Sequence, residues 1–172
     1  MQQLYVLYFD DTNNSHQKEK QIAETFLRLK YHVIFGELGR GAFIDMLQRE
    51  YGRVSNSNII LIMTFAQFPD RLLEYCAASL VSFAKGAGKE IIGVVSFQRG
   101  VSYAGTNSNI GELDEVLRMC ANEVFSQTDQ AVARLVQMAD QKIVQQYNEQ
   151  NEQDTRSQMY FDIKTGEIEK NE

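Results

Sequence analysis

Residues 58–65 read Asn-Ile-Ile-Leu-Ile-Met-Thr-Phe, a nearly continuous apolar run with no in–out alternation. A strand with one wet face alternates polar and apolar side chains. A run without alternation is expected where both faces are covered, as in a central strand of a parallel sheet. Upstream, Gln3–Phe9 (QLYVLYF) and Tyr31–Phe35 (YHVIF) are short apolar runs rich in aromatic and β-branched residues, and both read as strands. Downstream, Glu90–Phe97 (EIIGVVSF) and Asn122–Ser126 (NEVFS) read as two more.

Between these runs the period changes to helical. Ile22, Ala23, Phe26, Leu27 and Leu29 recur at helical spacing within His16–Lys30. Phe43, Ile44, Leu47 and Tyr51 share one face of Ala42–Val54. Arg71–Phe83 and Glu112–Cys120 read as helices, and Thr128 caps a last helix running to about Tyr147. Strand and helix alternate five times, which predicts an α/β fold. It is a doubly wound, mostly parallel five-stranded sheet with helices on both faces, joined by right-handed crossovers. The arrangement resembles flavodoxin- and Rossmann-type domains. The α/β domain spans 1–147. Residues 148–158 (NEQNEQDTRSQ) are polar and low in complexity, and read as a linker. Tyr160–Glu169 alternates around Thr165-Gly166, which predicts a strand-like extension over the end of 148–172.

In such folds ligands sit beyond the carboxyl ends of the strands, near the point where strand order reverses. That rule selects 10–15, 64–74 and 96–110.

The 172 residues are enough for one domain with a substantial core. Seventeen Lys and Arg against 23 Asp and Glu leave a net charge of −6. Phosphate-backbone binding draws on clustered cations, so the balance argues against a general nucleic-acid binder and leaves room for a small nucleotide. No apolar run approaches the ~20 residues of a membrane span, and the start of the chain is strand-like rather than a leader. The expected location is the cytoplasm, with Cys76 and Cys120 as buried thiols.

His16 and His32 are the only histidines and lack partners at ligand spacing, so no metal site is expected. Gly86-Ala87-Gly88-Lys89 precedes a strand instead of following one, and reads as a helix-ending turn, not a phosphate loop. Asp10-Asp11 after the first strand suggests the acidic pocket of a phospho-receiver. The third strand, however, ends Met63-Thr64-Phe65 without the required aspartate, and Ser126-Gln127 stands where a lysine is needed.

Glu74 is the remaining candidate. It lies in the first turn or so of the helix that follows the most apolar strand, where its own helix dipole stabilises a carboxylate by ~0.3–1 kcal/mol. The same place is where an α/β sheet presents a carboxylate to a ligand.

Around Glu74 the chain resembles the nucleoside 2-deoxyribosyltransferases and related nucleotide N-glycosidases. The matching places are NIILIMTF, Pro69-Asp70, Glu74-Tyr75-Cys76-Ala77-Ala78, Gly88-Lys89, Ile91-Ile92-Gly93 and the segment 122–135 (NEVFSQTDQAVARL). Cys76 stands where that family has glycine, and Arg71-Leu72 where it has Gly-Thr. The resemblance implies cleavage or exchange of an N-glycosidic bond at C1′ of a deoxyribose. Glu74 would be the nucleophile, and Asp70 or Asp10 the carboxylate that binds the base or moves a proton. It implies substrate contacts from Tyr8, Asp10, Asp11, Phe65 and Asn109, a nucleoside or nucleotide as the small-molecule partner, and no cofactor.

A second resemblance, to TIR domains, rests on Ser57-Asn58-Ile59-Ile60-Leu61, Glu74 and the loop 36–43 (GELGRGAF), and implies an NAD-cleaving or signalling module. A third reading is a non-catalytic nucleotide-binding module in which Glu74 is only a helix-start carboxylate. The strand-like end on its flexible linker suggests a homo-oligomer in which the tail of one copy completes a neighbour's pocket.

Overall fold

The computed structural model describes residues 1–9, 17–64, 71–95 and 112–165, with the backbone alone for Phe9, Glu112 and 160–165. The elements follow in the order β1 (Gln3–Phe9), α1 (Gln17–Arg28), β2 (His32–Phe35), α2 (Phe43–Ser55), β3 (Ile59–Thr64), α3 (Arg71–Gly86), β4 (Glu90–Val95), α4 (Glu112–Cys120), β5 (Glu123–Phe125) and α5 (Thr128–Thr165). All strand pairings are parallel, and the sheet runs β2-β1-β3-β4-β5. This is the flavodoxin-like order, and it reverses between β1 and β3.

All six residues of β3 are buried, as expected of a strand covered on both faces. On one face Tyr5, Leu7, Ile60, Ile62 and Ile91 pack with Val54 of α2, Ala77, Leu80, Val81 and Ala84 of α3, and Leu113 and Leu117 of α4. The small residues of α3 allow its close approach. Gly93 lies beneath α4, where a Cβ would make an ordinary contact with Leu117 Cδ2 at 3.6 Å. Side chains of opposite parity, among them Leu4, Val6, Leu61, Met63, Ile92 and Val94, are equally buried. The Tyr31 hydroxyl donates to the Leu135 carbonyl at 2.6 Å, tying the start of β2 to α5.

The turn at 86–89 is a helix stop. Gly88 has φ +73°, Lys89 N–H reaches the Ala84 carbonyl (2.9 Å) and Gly88 N–H the Lys85 carbonyl (3.1 Å). These two bonds satisfy carbonyls that the helix end leaves unpaired.

Three readings of the sequence change. In α1 the core positions are Ala23 and Leu27, while Ile22, Phe26 and Leu29 are exposed. In α2 the buried positions are Met46, Glu50 and Val54; Phe43 and Ile44 are exposed and Leu47 and Tyr51 half-buried. The periodicity points one step round the helix because it scores Glu50 as a surface residue. Finally, 148–158 is helical rather than a linker, and α5 continues through Thr165 where a strand-like extension is expected. Residues 128–165 contain neither glycine nor proline and are rich in Gln, a good helix former. Gln145 Nε2 donates to Glu149 Oε1 and Gln150 Nε2 to Asp154 Oδ1, each at 3.0 Å. The stretch 148–158 is polar all round, and a helix of that kind is stabilised by such i,i+4 pairs, which composition alone does not separate from a linker.

Contacts divide the chain into two compact units, Met1–Val136 and Gln137–Glu172. No described helix is long and apolar enough to cross a membrane.

Candidate functional site

Parallel strands bring every strand's carboxyl end to one rim of the sheet, and the first turn of α3 follows β3 there. Glu74 is half-buried in that turn. Its Oε1 accepts the backbone N–H of Leu113 at 3.2 Å, so the first turns of α3 and α4 meet at this carboxylate. The bond satisfies one of the amide groups that the start of α4 would otherwise leave unpaired. Among the described residues, Glu74 Oε2 makes no hydrogen bond. Leu72 and Tyr75 beside it are exposed.

Of the other expected site residues, Tyr8 is described and half-buried. Lys20 of α1 stands 5.0 Å from the centroid of the Tyr8 ring and 5.2 Å from that of Phe35. Tyr5 and Leu7 face α2 and α3, so strand alternation turns Tyr8 toward α1, the face opposite the helix that carries Glu74. Asp10, Asp11, Phe65, Asp70 and Asn109 lie outside the described residues.

Ser57, which the TIR resemblance singles out, is fully buried. Its hydroxyl donates to the Arg53 carbonyl (2.7 Å) and accepts from Gln3 Nε2 (3.0 Å), which pins the end of α2 to β1. Cys76 is buried and Cys120 half-buried, and both are free thiols. Among the described residues, no group of three or more His, Cys, Asp or Glu side chains is placed to hold a metal.

Two carboxylates escaped the sequence reading. Asp114, directly after Leu113, is buried at the start of α4. Its signal is hidden in the run Glu112-Leu113-Asp114-Glu115, which looks like an ordinary acidic first turn.

The other is Glu50, with no exposed surface. Its Oε2 accepts the Tyr5 hydroxyl at 2.7 Å. Its Oε1 accepts Arg49 Nε (3.0 Å), Arg53 Nη1 (3.1 Å) and the Glu37 amide (3.2 Å). Burial, reinforced by the hydrogen bond to Glu50 and its charge, holds the Tyr5 phenol well above the ordinary tyrosine range, against a smaller opposing pull from Arg53 and Arg49. The sequence signal is a lone acid at helical spacing from Met46 and Val54, with Arg49 beside it and Arg53 nearly one turn on.

This cluster fastens the loop after β2. Arg53 Nη1 donates to the Phe35 carbonyl (3.0 Å), and Arg49 Nη2 to the carbonyls of Glu37 (2.7 Å) and Arg40 (3.4 Å). The Gly39 amide points at Met46 Sδ, 2.9 Å away. Gly39 and Gly41 have φ +89° and +83°, the left-handed region that glycine alone enters without strain. A Cβ on Gly39 would lie 3.7 Å from Leu73 Cδ1, so the loop rests against the residue preceding Glu74.

No protein-family model and no curated protein matches the sequence. Solved structures do match in fold. A conserved protein from Enterococcus faecalis V583 superposes with TM-score 0.53 at 10% identity, over 80% of this chain and 99% of the other. The CMP N-glycosidase BcmB of Clostridium botulinum gives 0.48 at 13% identity, over 79% and 98%. A point mutant of flavodoxin from Pseudomonas aeruginosa gives 0.45 at 16%, over 80% and 97%. At these identities the likeness is one of fold, and glycosidase and flavodoxin are about equally distant.

Proposed function

We propose that the chain is an N-glycosidic-bond enzyme of the deoxyribosyltransferase type, acting on a nucleoside or nucleotide through Glu74. The supporting observation is the position of that side chain. It is a half-buried carboxylate at the carboxyl rim, on the helix that follows β3, one of the two strands between which sheet order reverses, with one oxygen held by Leu113 N–H and the other uncommitted among the described residues.

Breaking a C1′–N bond builds positive charge on the sugar, and a fixed carboxylate beside it stabilises that charge. In the proposed course Glu74 Oε2 attacks C1′ and the C1′–N bond breaks. Its electron pair leaves with the base, which takes up a proton, and the sugar is held as an ester on Glu74. Water or a second base then attacks C1′ and releases the carboxylate. Asp70 or Asp10 is the proposed proton carrier, and Tyr8, Asp11, Phe65 and Asn109 remain proposed substrate contacts.

The Glu74–Leu113 bond also favours a second reading. A carboxylate that bridges two helix starts has a sufficient structural role, as in a non-catalytic nucleotide-binding module. Glu74→Gln separates the two. Its amide oxygen still accepts from Leu113 N–H, so the fold is kept while the nucleophile is lost. Base released from deoxynucleosides and deoxynucleotides is the measurement, with NAD as a parallel substrate. The expected result is turnover in wild type and a loss of ~10²-fold or more in the variant. Nicotinamide release from NAD alone points to TIR-like chemistry. Binding without turnover in wild type leaves the carboxylate as a helix cap.

A further inference from the structure

The loop after β2 is fastened by side chains of α2 at Glu37 and Arg40. Glu50 is a carboxylate with no exposed surface, and burying it is costly unless it is paired and hydrogen-bonded, which the four donors around it, three on Oε1 and one on Oε2, supply. Two of those donors continue to the end of β2 and to the loop itself. Arg53 takes the Phe35 carbonyl, and Arg49 those of Glu37 and Arg40. Gly41 has nothing within 4 Å of where a Cβ would stand, so its +83° φ, not crowding, calls for glycine there. With Gly39 it makes a turn whose shape is set on both sides of residue 40.

The side chain presented by that turn is Arg40. It is 78% exposed, and among the described residues its ion-pair partner is Glu37 Oε1, 3.8 Å away and outside hydrogen-bond range. Most of its five N–H donors therefore face solvent. Its neighbour Gly39 lies against Leu73, one residue before Glu74. Arg71 of the same helix turn is also exposed. In a chain of net charge −6, the turn that carries Arg40 thus adjoins the helix start that carries Arg71. A guanidinium is planar, permanently charged and shaped to take two oxygens of a phosphoryl group at once.

We propose that the Gly39-Arg40-Gly41 turn, clamped by Arg49 and Glu50, is an anion-binding arm whose Arg40 takes the 5′-phosphate of a nucleotide, so that the site prefers nucleotides to nucleosides. The identity of the ligand rests on the glycosidic reading of Glu74; the phosphate site itself does not. Arg49 and Glu50 are positioning residues, since they act through the turn and touch no ligand.

The test is a titration of the full chain, followed by amide NMR, with inorganic phosphate, a 5′-deoxynucleoside monophosphate and the matching deoxynucleoside. The expected result is that phosphate and the nucleotide shift the amides of residues 36–42, and that the nucleotide binds at least ~10-fold more tightly than the nucleoside, since one charge-assisted bidentate contact is worth about that factor. Arg40→Ala should remove this preference. Arg40→Lys, which keeps the charge but not the fork, should restore it only in part. Arg49→Met should weaken phosphate binding and hasten tryptic cleavage after Arg40, changes that a merely solvating arginine would not show. Glu74→Gln should leave phosphate binding unchanged, whether or not base release proves to depend on Glu74. Phosphate shifts confined to another part of the chain, equal affinity for nucleotide and nucleoside, or an Arg40→Ala variant that binds like wild type would each overturn the proposal.

Discussion

Glu50→Ala strikes the cluster that fastens α2 to β1 and to the loop after β2. The substitution leaves the Tyr5 hydroxyl, two partly buried guanidinium groups and the Glu37 amide without their common acceptor. Breaking a buried ion pair by removing one partner costs about 3–5 kcal/mol. The first unit spans 136 residues, Met1–Val136. At ~2.1 cal/mol/K of unfolding entropy per residue that is ~0.29 kcal/mol/K, so the loss lowers the thermal midpoint by about 10–17 °C. Glu50→Gln is the control that isolates charge. Its oxygen can keep the three N–H donors on one side, and its amide can donate to the Tyr5 oxygen on the other, so its loss should be clearly smaller. Near-ultraviolet circular dichroism, in which the buried tyrosines report, follows the transition. A Glu50→Ala midpoint within ~3 °C of wild type would refute the reasoning, because the two arginines would then be finding water at little cost.

Three further outcomes follow from the same contacts and from α5. Tyr5 has its phenol pKa raised in the folded state, so its contribution is complete below the unfolded value of ~10 and fades as pH rises above it. Between about pH 9 and 11 wild type should therefore lose urea resistance faster than Tyr5→Phe, and parallel curves would contradict this. In Gly36→Ala the new Cβ would collide with Tyr5 Oη and approach Tyr5 Cζ to 2.7 Å and Leu7 Cδ1 to 2.8 Å. The expected cost is ~1–3 kcal/mol. The cost should shrink in a Tyr5→Phe background that lacks the obstructing hydroxyl, and equal costs in the two backgrounds would show that the collision is not with that group. Deleting residues 148–172 removes positions that are exposed from 148 through 159, so the melting of the first unit should change by less than ~0.5 kcal/mol. Sedimentation of the same truncated chain tests the expected homo-oligomer, and an unchanged mass and activity would rule out a shared pocket.

The sheet was legible because each strand is a separate apolar run and each helix between them has its own period. Ile59–Thr64 shows this best, since six successive buried side chains leave only a central parallel strand as an option. The position of Glu74 was legible for the same reason: it is fixed by the end of a strand and the start of a helix. Its bond to Leu113 was not, because 39 residues separate the two and no local pattern links them. Glu50 was not legible because patterning treats a carboxylate as a surface residue. Only the three-dimensional meeting of Arg49, Arg53 and Tyr5 makes its burial tolerable. The end of α5 was missed for a related reason. Polar low-complexity sequence suggests no core to pack against, and a helix held by its own i,i+4 bonds needs none.

The crowding of Gly36 against Tyr5, and of Tyr5 against Glu50, has an evolutionary consequence. Gly36 and Glu50 are both distant from Tyr5 along the chain, yet the three form one lock, so selection cannot edit them one at a time. Homologues should inherit the trio intact or replace it wholesale, with a methyl-bearing residue at 36 accompanied by a ring without its hydroxyl at 5 and an uncharged side chain at 50. Lineages with only one of the three exchanged should be scarce.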